Sequence, residues 1–134
     1  MKKIAIIKEK LDCFNKTISV QGDKSLSIRC VLIASQALGV SRAYNLLESE
    51  DVKSTIKALR KLGVKIIYKK NYYEIYGNGL NGFSFSNNTV IDAQNSGTLA
   101  RLILGVLAKS NNTIILSQLI NFSLLKIKVC NLIL

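Results

Sequence analysis

Two short runs in this chain carry residue types that could hold an anion. The first is Gly22-Asp23-Lys24-Ser25-Leu26-Ser27-Ile28-Arg29. A helix opening there would turn free backbone N–H groups and a partial positive charge toward an incoming anion. Gly22 would let the backbone come close to it. Lys24 supplies a point charge and Ser25 a hydroxyl donor. Arg29 stands one turn after Ser25 on the same helical face, and its guanidinium can grip a phosphate or carboxylate through two parallel hydrogen bonds. The same residues also read as an ordinary capped helix, with Asp23 as the cap and the cations solvated. The spacing is not that of a Walker A loop, which needs four residues between its first glycine and Gly-Lys-Ser/Thr. The second run is Asn95-Ser96-Gly97-Thr98, with Arg101 one turn further on. Gly97 would let backbone N–H groups face a ligand; an ordinary capping turn is the alternative.

Both runs need elements to position them. Residues 17–20 (Thr-Ile-Ser-Val) read as a short strand leading to the first run. After it, Leu26, Cys30, Ile33, Ala34, Ala37 and Leu38 recur at helical spacing until Gly39 stops the pattern. That spacing places Cys30 in the core. Ser41 to Leu47 is a second strand. Ser49 caps the next helix, with Glu50 and Asp51 in its first turn, an apolar face of Val52, Ile56, Leu59 and Leu62, Arg60 and Lys61 in its last turn, and Gly63 just beyond. Strands follow at 64–69 and 72–76 around a turn at Lys70-Asn71, then a loop from Gly77 to Gly82. Phe83 to Phe85 alternates like a strand, and Thr89 to Asp92 is a further one. The second run then opens a helix with Leu99, Leu102, Ile103, Val106 and Leu107 as apolar positions, and Thr113 to Leu116 is the strand after it. This alternation is that of an α/β architecture. The two turn–helix junctions lie about seventy residues apart, which hints at a repeated unit too long for a solenoid.

Composition narrows the function classes. The 134 residues suit one modest domain or part of a larger one, and 49% are hydrophobic, which argues against disorder. Nineteen Lys and Arg against eight Asp and Glu give a formal charge of +11. Such a balance favours anionic partners or is a solvated basic surface. The cations are spread along the chain and only 7% of residues are aromatic, so nucleic-acid binding is disfavoured. A small basic module binding anions or nucleic acid remains an alternative. Cys13, Cys30 and Cys130 form no CxxC pair and histidine is absent, so no structural zinc site is expected. The apolar run Ile4–Ile7 is too short for a signal peptide or membrane span, and the sparse cysteines fit a reducing cytoplasm. Residues 118–134, eleven of seventeen apolar, end without a cap or stop and stand apart from 1–117; they read as a chain that has been cut or read out of frame, or alternatively as a last strand or helix.

These residues also carry a family resemblance. Gly22-Asp23-Lys24-Ser25-x-Ser27-x-Arg29, then Asn45 to Val52 with Ala58 to Val64, then Asn95-Ser96-Gly97-Thr98-x-x-Arg101, resemble successive signatures of the 5-enolpyruvylshikimate-3-phosphate synthases, over residues 4–117. The related transferase acting on UDP-N-acetylglucosamine usually has Lys-Asn where this chain has Lys24-Ser25, which makes it the runner-up. The resemblance implies a partial enolpyruvyl transferase domain built from repeated βαβαββ-type units, an incomplete inside-out α/β barrel. It implies transfer of the enolpyruvyl group of phosphoenolpyruvate to the 5-hydroxyl of shikimate 3-phosphate, a late step toward chorismate and the aromatic amino acids. No metal or organic cofactor is implied, the family is monomeric, and its location is cytoplasmic. By carry-over, Lys24, Ser25 and Arg29 bind shikimate 3-phosphate, and Lys24, Asn95 and Gly97 belong to the phosphoenolpyruvate site. Gln21 stands where the family usually has proline, Ile28 where it often has histidine, and Gln94 where glycine is usual. The arginine-bearing segment expected after Ser117 has no counterpart in 118–134, nor do the family's second domain and its acidic proton-transfer groups. No catalytic residue is therefore assigned, and the isolated chain is expected to be inactive.

Overall fold

The computed structural model describes residues 21–118 and 123–128. The expected strand at 17–20, the N-terminal run, Cys13 and Cys130 lie outside the described residues. Helix α1 (Lys24–Gln36) leads to strand β1 (Leu38–Tyr44), helix α2 (Glu50–Lys61), and strands β2 (Lys65–Lys69) and β3 (Tyr72–Asn78). Strand β4 (Thr89–Asp92), helix α3 (Gly97–Val106) and strands β5 (Thr113–Gln118) and β6 (Ser123–Lys128) complete the order. One three-stranded antiparallel sheet runs β1-β3-β2; a second runs β4-β5-β6, with β4 and β5 parallel and β6 antiparallel to β5.

The α2 segment folds as its sequence dictates. Ser49 accepts from the Val52 amide at 3.4 Å, and Glu50 and Asp51 meet the positive end of the helix. Val52, Ile56, Leu59 and Leu62 are all buried. At the far end Gly63 takes φ +86 while its amide bonds to the Arg60 carbonyl and the Val64 amide to that of Leu59, a Schellman closure that requires a left-handed residue.

Helix α1 departs from expectation. Its buried positions are Ser27, Ile28, Val31, Leu32, Ala34 and Ser35. Leu26 and Ile33 are 64% and 68% exposed, and Cys30 is an exposed free thiol rather than a core residue. The helix is apolar on two sides, so periodicity could not choose between them. The inward side holds two serines because their hydroxyls are satisfied: Ser35 Oγ donates to the Leu32 carbonyl at 2.6 Å, and Ser27 Oγ accepts from the Leu47 amide at 3.0 Å. The helix also ends earlier than the pattern, at Gln36, and Leu38 and Gly39 belong to β1. Consequently β1 occupies 38–44 rather than 41–47, with Asn45 at φ 55 closing it.

The core is shared by all three helices and both sheets: Ile28, Val31, Leu59, Ile75, Ile91, Leu99, Ile103 and Ile114 are fully enclosed. Phe83 and Phe85 pack against this core without forming a strand. Their alternation is real, but the segment bonds outside any sheet: the Ser84 amide donates to the Leu62 carbonyl at 3.0 Å and the Phe85 carbonyl accepts from Asn112 Nδ2 at 2.6 Å. Leu102, expected in the core, is exposed.

Candidate functional site

The first run forms the start of α1, as its chemistry requires. Asp23 Oδ1 accepts from the Leu26 amide at 2.8 Å, so the carboxylate caps the helix. Gly22 serves packing: a Cβ there would stand 2.8 Å from the Leu47 amide nitrogen and overlap the Asn45 carbonyl oxygen. Its missing side chain lets the 45–47 segment lie against the mouth of α1, where the Ser27 hydroxyl pins it.

Lys24 Nζ lies 2.8 Å from Asp51 Oδ2, with the side chains 52% and 15% exposed. Asp51 sits in the first turn of α2, so this ion pair ties the start of α1 to the start of α2. Ser25 is half-buried and Arg29 exposed. Arg29 stands five positions after Lys24, about 140° around the helix. Arg29 accordingly lines a different hollow, about 360 Å³ between α1 and α3, with Leu32, Ile33 and Leu102. Lys24 and Arg29 thus engage different neighbours, and Ser25 lies between them along α1.

The second run forms the start of α3. Ser96, buried, accepts from the Leu99 amide at 3.2 Å and caps the helix. Gly97 is its first residue, and Asn95 stands exposed before it. The guanidinium of Arg101 folds back over Gly97: a Cβ there would be 3.5 Å from Arg101 Nη2. Gln94 adopts φ 47, a left-handed conformation suited to glycine, which explains the family's usual residue at this turn. Its backbone amide donates to Asp92 Oδ1 at 2.9 Å, and its side-chain amide meets Ser54 Oγ at 2.8 Å, where the single hydroxyl proton of Ser54 is shared with the Glu50 carbonyl, also 2.8 Å away.

The two runs therefore meet at α2. Asp51 reaches Lys24 and Ser54, one turn later, reaches Gln94. These contacts link the entrances of α1, α2 and α3 to one another, each carrying a partial positive charge that acidic residues at α1 and α2 partly offset. Sequence reasoning assigned Asp51 only to its own helix and gave Ser54 no role. Acidic residues in a first turn are so common as caps that nothing marked Asp51 as a partner of Lys24. Among the described residues no group of His, Cys, Asp and Glu is arranged to hold a metal, and no helix is long and apolar enough to cross a membrane.

The fold and these paired helix starts define a mixed α/β chain, and comparison with known proteins gives the class a family. Residues 8–117 match the family model for EPSP synthase (3-phosphoshikimate 1-carboxyvinyltransferase). The chain belongs to the EPSP synthase family. It is 44% identical over 98 residues to the 3-phosphoshikimate 1-carboxyvinyltransferase of Streptococcus mutans, covering 73% of this chain and 23% of that protein. It is 48% identical over 94 residues to that of Bacillus cytotoxicus, covering 70% and 22%. The solved EPSP synthase from Acinetobacter baumannii superposes with a TM-score of 0.69 at 31% identity, over 77% of this chain and 23% of that one. The chain thus spans less than a quarter of the length of the relatives it matches.

Proposed function

We propose that this chain forms part of the substrate site of a 3-phosphoshikimate 1-carboxyvinyltransferase and performs no turnover alone. Lys24, Ser25 and Arg29 are the residues we assign to shikimate 3-phosphate, and Lys24, Asn95 and Gly97 those we assign to phosphoenolpyruvate. The order α1-β1-α2-β2-β3 we take as most of one βαβαββ unit, and β4-α3-β5 as the opening of a second.

One observation supports this reading above the others: three helix starts are tied together by the Lys24–Asp51 pair and the Ser54–Gln94 hydrogen bond. Both proposed substrates are polyanions. Linked helix starts with a lysine would hold them side by side and offset their repulsion. In the reaction the 5-hydroxyl oxygen bonds to C2 of phosphoenolpyruvate, the C3 methylene gains and later returns a proton, and phosphate leaves. The groups we assign to the substrates are cations, amides and hydroxyls, and the two carboxylates beside them are already engaged, Asp23 in capping α1 and Asp51 in pairing Lys24. This part of the site is therefore suited to binding more than to that proton traffic.

Titration of the chain with shikimate 3-phosphate, followed by amide NMR, tests the binding role. Saturable shifts are expected over 23–29, weakened about tenfold, near 1.4 kcal/mol, by Lys24→Ala. No saturation, or an unchanged affinity in the variant, refutes the assignment. Phosphate release requiring both substrates would refute the inactivity.

A further inference from the structure

We propose that the crevice between α2 and the β2–β3 hairpin is a second ligand site, selective for a flat aromatic ring that carries a phosphate or carboxylate. The crevice encloses about 320 Å³, within the range of small-molecule sites. Lys53, Lys57 and Arg60 stand at i, i+4 and i+7 on α2 and line one side of it. Tyr68 and Tyr73, cross-strand partners on the helix-facing side of the sheet, line the other. Ile56, buried, closes the floor.

The cations are available for a ligand. Lys57 makes no hydrogen bond or ion pair with a described residue. Lys53 is held only by Glu50 at 3.4 Å, through an exposed pair worth little in water. The guanidinium of Arg60 is fixed in place, its Nε and Nη2 donating to the Ile66 carbonyl at 3.2 and 2.7 Å, which uses two of its five N–H groups. Glu48 is the one carboxylate in the lining, so three positive groups face one negative.

The ring preference comes from the opposite wall. The Tyr68 and Tyr73 rings lie 4.7 Å apart between centroids and tilted by 47°, and Tyr68 is 53% exposed. Two tilted faces beside a guanidinium fit an aromatic ring better than a bare inorganic anion, which would leave that surface uncovered. Burial first, then the Glu48 and Tyr68 charges, raises the Tyr73 pKa above its ordinary 10.0. Its hydroxyl thus stays a protonated donor toward an acid. Lys53 lies two residues from Asp51, about 200° around α2. The crevice is therefore on the other side of that helix from the Lys24–Asp51 pair and does not depend on the function proposed above.

Phenyl phosphate, inorganic phosphate and phenol serve as probes, each followed by amide NMR on the full chain. Phenyl phosphate is expected to saturate with shifts centred on 53–60 and 68–73. Inorganic phosphate and phenol should each bind at least about tenfold more weakly. The Lys53→Ala/Lys57→Ala double variant and Tyr68→Ala, all at exposed positions, should each lower affinity about fivefold or more with unchanged circular dichroism. The proposal is overturned by an absence of saturation at about 10 mM, by equal affinity for inorganic phosphate, or by shifts centred on 23–29 instead.

Discussion

The entrances of α1 and α3 share a plan and differ in what occupies it. Each has a side-chain cap three residues before the amide it accepts from, and each has an arginine early in the helix. At α1 the cap is a carboxylate and the neighbouring Lys24 is already paired with a second carboxylate, Asp51. At α3 the cap is a buried neutral serine, and Arg101 makes no ion pair or hydrogen bond with a described residue. The first entrance is electrically balanced by the protein itself, and an anion there must compete with Asp51. The second keeps uncompensated donors over a glycine. Charge organises one end of the proposed site and open space the other.

The two glycines give the strongest way to break this comparison. At Gly22 a Cβ overlaps the Asn45 carbonyl and crowds Leu47, and both obstacles are backbone. Gly22→Ala should therefore lower stability by about 2–3 kcal/mol, read from urea denaturation, because the 45–47 segment must move. At Gly97 the nearest atom to a Cβ is the far end of the Arg101 side chain at 3.5 Å. Gly97→Ala should leave stability within about 0.5 kcal/mol of the parent while weakening phosphoenolpyruvate binding about tenfold. If Gly22→Ala were neutral and Gly97→Ala destabilising, the roles assigned to the two entrances would be reversed.

How far these roles could be read in the sequence depended on how local the physics was. Helix α2 was legible to its last residue, since Ser49, the acidic first turn and Gly63 act within one turn of where they stand. The two candidate runs were legible as helix starts for the same reason. Helix α1 was legible as a helix but not in its orientation: Leu26, Cys30 and Ile33 form as good an apolar row as Ile28, Val31 and Leu32. Ser35 satisfies its hydroxyl within the helix on the Leu32 carbonyl, but the bond that fixes the inward side, from the Leu47 amide to Ser27, spans twenty residues, and no local spacing encodes it. The packing role of Gly22 was not legible because the segment it accommodates lies some twenty-five residues onward in the chain. Phe83 to Phe85 alternates like a strand but has no neighbouring strand to pair with among the described residues.

A smaller effect tests the balance of charge at α1. Asp51→Asn removes the partner of Lys24 while keeping a short polar side chain in the first turn of α2. The pair is partly exposed, so its loss together with the weaker helix-dipole interaction should cost no more than about 1 kcal/mol. Freed from competition, Lys24 should bind shikimate 3-phosphate about threefold more tightly, measured by calorimetry at low ionic strength. Weaker binding in the variant would mean that Asp51 orients Lys24 for the ligand instead of competing with it.

The smallest expected effect lies at the α3 turn and needs two backgrounds to resolve. Gln94 holds φ 47 at a conformational cost of about 1 kcal/mol for a residue with a Cβ, which glycine would relieve. Replacing it also deletes the hydrogen bond from Ser54, worth about 1 kcal/mol, and loosens the unfolded chain. The terms oppose, so Gln94→Gly alone should change stability by less than about 0.5 kcal/mol. In a Ser54→Ala background the hydrogen bond is already gone, and the same substitution should be more favourable by about 1 kcal/mol than in the parent. That difference in denaturation midpoints measures the link between α2 and the entrance of α3. A zero difference would mean that the two entrances are joined through α2 by packing alone, and that the Ser54–Gln94 contact has no part in linking them.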